Sequence, residues 1–196
     1  MKKKITVLFL VFSVSCGNKK LVSYDEIRKQ FGNYIVNHDQ SSLKRSYHTL
    51  IKKEDFKTNG ITSQNLDLVI PIFFKLKKHD ELIKLLKNTS ILSDYYREFY
   101  INLAKYLSLR CVDSLSANTF INNNLSLINN QILNNQNDSI LYVDYYTCKL
   151  YVSDLESVLK EVDSLQNVNH KFTSDFYDYI LTDALIEFYP EIEKCK

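Results

Sequence analysis

Tryptophan is absent from this 196-residue chain, methionine occurs once, proline twice, and glycine and alanine three times each. Three glycines leave no room for a glycine-rich phosphate loop. The shortage of glycine and proline also removes most of the residues that break helices and mark turns. The four histidines, His38, His48, His79 and His170, are scattered. No HxxxH or HExxH spacing occurs among them, and a zinc site needs three or four converging ligands. No serine sits in a nucleophile-elbow setting. Asp175, Asp178, Asp183 and Glu187 lie at i,i+3 and i,i+4 spacings, which reads as a solvated helix face. The chain therefore carries no sequence motif for a catalytic, metal or cofactor site, and no cofactor is expected. Asparagine, lysine, isoleucine and tyrosine are plentiful, a bias that an AT-rich genome explains. Apolar residues make up 45% and charged residues 24% of the chain, which excludes global disorder.

The N-terminus has a definite order. Met1-Lys2-Lys3-Lys4 is a compact positive cluster, an apolar run of about ten residues follows, and Ser13-Val14-Ser15-Cys16 closes it. Charge, apolar run and small residues in that order form a secretory signal. A spanning helix needs about twenty apolar residues, so the run suits export rather than anchoring. Val14-Ser15-Cys16 resembles the lipobox of bacterial lipoproteins, with Ser13 where that family usually has leucine. The resemblance covers only about the first twenty residues. It implies removal of residues 1–15 as a signal peptide, acylation of Cys16, and a short tether over 16–22. It also implies a protein of the bacterial cell envelope, attached to the membrane through lipid on Cys16. Gly17 in place of aspartate after the cysteine favours the outer membrane, while the leaflet and face stay open. Ser13 and Ser15 equally satisfy the small-x-small rule for an ordinary cleaved signal.

The full-length charge of +2 changes once residues 1–15, with three lysines and no acid, are removed. The remainder is near −1, with no clustered basic charge, and no nucleic-acid partner is expected. About 180 residues remain, enough for a single domain over 23–196 with a real core. Beyond Cys16, Cys111, Cys148 and Cys195 permit at most one internal bridge with one thiol left over. Cys111 and Cys148 fall in helical patterns, where a cysteine often serves as a small apolar residue.

Apolar spacing along 23–196 is helical almost throughout. The first pair of helices is expected over 24–37 and 40–52, with a loop around Asn59-Gly60. The continuous apolar run 68–74 fits a strand or a helix; Pro71 argues against a central strand and costs about 3 kcal/mol in a helix interior, and a helix is expected because the neighbouring segments are helical. Another begins near Lys78-His79-Asp80. Tyr96, Phe99, Tyr100, Leu103, Tyr106 and Leu107 form one stripe, and Phe120, Ile121, Leu125, Ile128 and Ile132 another. A turn is expected at 113–116 and a loop at 134–138. Leu141, Tyr145 and Cys148 precede a turn at Ser153-Asp154. Glu156 follows Ser153 at capping-box spacing, and Leu155, Val158, Leu159, Val162 and Leu165 form the next stripe. A last helix runs near 174–189, ended by Pro190. The expected fold class is all-α.

Lys78-His79-Asp80-Glu81-Leu82-Ile83-Lys84-Leu85-Leu86 and the stretch 134–165 resemble tetratricopeptide repeats. The resemblance places the small residue of each second helix at Leu43, Leu82, Ala117 and Val158. The spacings of 39, 35 and 41 residues compare with about 34 in that family. It implies antiparallel helix hairpins stacked as a short array, with an irregular helical bundle as the alternative. It also puts Tyr95, Tyr96, Tyr100, Tyr106, Tyr142, Tyr145, Tyr146 and Tyr151 on first helices, which line the concave surface in such arrays. Core packing is the competing use for these tyrosines. The function expected is a non-enzymatic, lipid-anchored interaction scaffold with an envelope protein or peptide as partner. A toxin-neutralising immunity lipoprotein and an envelope enzyme are the alternatives.

Overall fold

The computed structural model describes residues 23–168, 172–182 and 185–186. The signal, Cys16 and the tether lie outside the described residues, as do His170, Asp183, Ala184, Glu187, Phe188, Pro190 and Cys195. The described residues are all-helical, with no strand among them. The helices are α1 (Asp25–Asn37), α2 (Gln40–Lys52), α3 (Glu54–Asn59), α4 (Leu66–Lys75), α5 (His79–Lys87), α6 (Asp94–Leu109), α7 (Ser114–Asn134), α8 (Ser139–Lys149) and α9 (Leu155–Val168). A π-helical segment, Phe176–Leu181, follows. Two compact units divide between Ala104 and Lys105.

Aspartate caps the starts of α2, α7, α8 and α9. Asp39, Asp113, Asp138 and Asp154 accept from the backbone N–H of Ser41, Ser116, Ile140 and Ser157 at 2.9, 3.1, 3.0 and 2.8 Å. Each satisfies one of the N–H groups that a helix start leaves without a partner. Asp39 also accepts from the Ser41 and Ser42 hydroxyls at 2.7 and 2.6 Å, and these bonds hold its carboxyl down to about 2. Asp154 is thus the cap of α9, and Ser157 occupies its third position. Glu156 pairs instead with Lys160 at 2.7 Å, so the capping box suggested by Ser153 and Glu156 does not form.

In the first unit α1 and α2 are joined by two residues only. His38 takes a left-handed conformation at φ 54° and donates to the Tyr34 carbonyl at 2.8 Å, which turns the chain back on itself. Ile27, Leu43, Leu50, Ile72, Phe73, Leu82 and Leu86 are buried together in the core. Helix α4 continues through Pro71, as expected. The proline cannot donate to the Asp67 carbonyl, an interior loss of about 3 kcal/mol. Burial of Leu68, Val69, Ile72 and Phe73 around it offsets this, since each such side chain contributes about 1.5–3 kcal/mol. Arg28 braces the same turn, donating to Asp67 through Nε and Nη2 at 3.2 Å each and to the Gln64 carbonyl at 2.9 Å. The short helix α3 was not anticipated. Its acids Glu54 and Asp55 sit in the first turn, and Phe56 points into the core.

A buried amide locks the α3–α4 loop. Asn65 accepts from the Thr62 N–H at 2.8 Å and donates to the Gly60 carbonyl at 3.0 Å and the Tyr24 hydroxyl at 3.2 Å. Tyr24 in turn donates to Asp55, and Gly60 supplies the φ of 63° that the loop requires. Asn65→Ala is expected to lower the unfolding free energy by about 2–3 kcal/mol, because it strands buried groups. Urea unfolding of the variant against wild type measures this.

In the second unit α7 packs on α8. Tyr142, Tyr146, Leu150, Val158, Val162, Phe176, Tyr177, Leu181 and Leu185 form the core. The Lys149–Glu161 ion pair links α8 to α9. The final helix departs from the α geometry expected around Ser174. Thr182 donates back five residues to the Tyr177 carbonyl, the spacing of a π turn. The wider turn brings residues five apart into line, which serves the burial of Phe176 and Leu181 together with Tyr177.

Helix α7 is unusual in another way. Its 21 residues include no Asp, Glu, Lys, Arg or His. Ala117, Ile121, Asn124 and Ile128 are buried, while Asn118, Asn122, Asn123, Ser126, Asn129 and Asn130 are exposed.

One regularity runs through both units. Leu43, Leu82, Ala117 and Val158 are each 0% exposed. Each is also the fourth residue of its helix, in α2, α5, α7 and α9 respectively.

Candidate functional site

Helix α8 concentrates the chemistry of the described residues. Its N-cap, Asp138, spends its carboxylate on the Ile140 N–H. One and a half turns later Asp144 lies partly covered by protein, and burial raises its carboxyl from 3.8 to about 7, with the charge of Asp138 adding to the shift. Cys148, one turn beyond Asp144, is a free thiol only 2% exposed. Burial pushes its thiol well up, and the neighbouring Asp144 charge pushes it further. Between them the Thr147 hydroxyl is buried without a hydrogen-bond partner. Asp144 can therefore hold or release a proton near neutral pH. Cys148 remains a protonated thiol there and is a poor nucleophile, since the thiolate is the reactive form.

Asp144 was missed in the sequence. Its signal lay in the spacing: it stands three residues after Leu141 and four before Cys148, a charge set on an apolar face.

Other titratable side chains divide between packed and exposed positions. Glu81 on α5 accepts from Tyr47 at 2.8 Å and from Lys78 at 2.7 Å, and the Lys78 ammonium sits 5.4 Å from the Tyr47 ring centre. Its carboxyl is held down chiefly by the Lys78 hydrogen bond, against opposition from burial. His38 and His48 are exposed, whereas His79 is buried at the start of α5, 6.1 Å from the Phe74 ring. Asp175 and Asp178 are exposed. Among the described residues no group of three or more His, Cys, Asp or Glu side chains is placed to hold a metal ion.

The tyrosines divide between buried and half-buried positions. Tyr106, Tyr142 and Tyr146 are buried; Tyr95, Tyr96, Tyr100, Tyr145 and Tyr151 are half-buried. Tyr95 and Tyr96 meet edge to face at 4.9 Å, and Tyr106 lies 4.9 Å from Tyr151 while donating to its carbonyl at 3.1 Å. None of the eight is exposed.

Cys111 differs from its helical expectation. Helix α6 ends at Leu109, and Cys111 stands exposed in the turn beyond it, bonded in a disulfide. Val112 and Leu115 beside it are 86% and 83% exposed. No helix among the described residues is long and apolar enough to cross a membrane. Comparisons with protein-family models, curated proteins and solved structures return no match.

Proposed function

We propose that this chain is a lipid-anchored scaffold of the bacterial envelope, built from stacked helix hairpins and binding another envelope protein or peptide. One observation carries the reading. Leu43, Leu82, Ala117 and Val158 occupy the same place in four different helices and are all fully buried. Recurrence of one buried position supports a repeat architecture, in which each hairpin covers its apolar stripe with the next. Surfaces assembled from such repeats are extended and suit a peptide or protein partner. The lipobox-like Val14-Ser15-Cys16 supports attachment through Cys16, because two or more acyl chains, at about 0.8 kcal/mol per buried methylene, anchor a protein stably.

Two measurements test it. Metabolic labelling with an alkyne fatty acid is expected to mark the wild-type protein in the membrane fraction. Cys16→Ser is expected to lose the label and leave that fraction. An unlabelled wild type, or a Cys16→Ser protein that keeps the label, sinks the anchor. Cross-linking of the anchored protein in whole envelopes is then expected to yield one stoichiometric protein partner. A secreted toxin as that partner identifies an immunity protein; a resident envelope protein identifies a scaffold.

A further inference from the structure

We propose that the outer face of α7 pairs with the same face of a second copy of this chain, the two helices running antiparallel. Leu115, Thr119, Asn122, Ser126, Asn129 and Leu133 are all exposed, and the two leucines at the ends are 83% and 71% exposed. Their intervals of 4, 3, 4, 3 and 4 residues keep them in one stripe, the spacing of an a/d seam between helices. The stripe lies opposite the face that α7 buries through Ala117, Asn124 and Ile128. Its spacing reads the same from either end. Leu115 and Leu133, Thr119 and Asn129, and Asn122 and Ser126 stand symmetrically about position 124. A two-fold axis at that position sets each member of a pair against the other member in the second copy. This is the self-complementarity that an isologous contact requires.

Charge selects a second copy as the occupant. A face of one sign repels itself, whereas α7 has no Asp, Glu, Lys, Arg or His. An anionic lipid surface finds no cation on this helix, and a charged peptide finds no counter-charge. At the centre of the seam the Asn122 amide can donate to the Ser126 hydroxyl oxygen of the second copy. That hydroxyl spends its own proton on the Asn122 carbonyl of its own helix at 3.1 Å. A polar residue at a seam position fixes register and orientation. At each end Leu115 covers Leu133 of the other copy, and the two ends lie about 27 Å apart at 1.5 Å per residue. The antiparallel arrangement also sets opposite ends of the two helix dipoles side by side. A single helix face of this length makes a small interface, of the kind that forms and parts readily.

The test uses the full chain in the intact cells that make it. Photo-reactive p-benzoylphenylalanine in place of Leu115 is expected, on irradiation, to trap a species of twice the mass. Mass spectrometry should place the cross-link on the peptide carrying Leu133 of the second copy. A cross-link to the start of α7 in the second copy means a parallel pair and overturns the proposal. So does capture of a different protein, or of nothing. Charge variants supply a second readout. Ser126→Glu and Asn122→Lys are each expected to lower the yield of the trapped dimer by more than about tenfold, because each takes an unpaired charge into the seam. Both positions are exposed, so both variants should keep the wild-type helical signal at 222 nm. Made together under different tags, the two variants are expected to pair with each other, since position 122 of one copy faces position 126 of the other. A dimer that survives either charge alone, or helical variants that do not pair when made together, counts against the seam.

Discussion

Asp144→Asn is expected to stabilise the second unit at pH 8 by about 2–4 kcal/mol and to flatten its pH dependence. In the folded chain the Asp144 carboxyl titrates at about 7 instead of 3.8. A raised acid favours the folded state only while it is protonated there. Its favourable contribution is complete below pH 4 and is lost as pH climbs from about 4 to 7. Above pH 7 the folded state carries the full cost of a partly buried charge. At about 1.4 kcal/mol per pK unit, the three-unit difference sets an upper bound near 4 kcal/mol. Asparagine has nearly the shape of the neutral acid and never ionises, so it escapes that cost. Urea unfolding of both proteins between pH 4 and 8 measures the difference, which should be near zero at pH 4 and widest at pH 8. A difference that does not grow with pH rules out the buried-carboxyl account. Asp138→Asn supplies a finer check. It keeps an N-cap oxygen and removes the charge that helps raise Asp144, so the midpoint of the pH response should move down.

Phe73→Ala is expected to cost the first unit about 3–5 kcal/mol. Phe73 is 1% exposed, and its ring centre lies 5.3 Å from that of Tyr47 and 6.4 Å from that of Phe56. Truncation loses the transfer energy of the ring and leaves a cavity between α2, α3 and α4 that rigid helices fill only in part. Pro71, two residues earlier, makes the site more sensitive. Helix α4 already forgoes one backbone hydrogen bond there and depends on burial to remain helical. The loss of the 222 nm helical signal in urea should shift to lower concentration in its first-unit component. A shift worth less than about 1 kcal/mol would mean that the core repacks around the gap.

Helix identity was legible in the sequence because so few residues could interrupt it. The first hairpin at 24–37 and 40–52 and the stripe from Leu155 to Leu165 follow from apolar spacing, and the helix through Pro71 from its helical neighbours. The four buried positions at Leu43, Leu82, Ala117 and Val158 were also legible, since an offset between similar segments survives even when the residue type drifts from alanine to leucine. Three features were not. The short helix α3 has too few residues to display a period. The cap of α9 had two adjacent candidates, Ser153 and Asp154, and only geometry chooses between them. Asp144 stands at apolar-face spacing between Leu141 and Cys148, but spacing does not say how deeply that face is covered, and burial is the main cause of its raised carboxyl. Tyrosines illustrate the same limit from the other side. Their sequence positions fit a binding face and a packed interior equally well, and burial decides for the interior at Tyr106, Tyr142 and Tyr146.

The ion-free composition of α7 has an electrical consequence. Seven exposed amide and hydroxyl side chains along it, from Asn118 to Asn130, offer donors and acceptors without a formal charge. Screening ions have nothing there to shield, and no proton joins or leaves the helix across the physiological range. Its own side chains therefore add no charge that salt could screen or pH could change. Any change with pH along α7 comes from its neighbours, such as Asp144 on the adjoining α8.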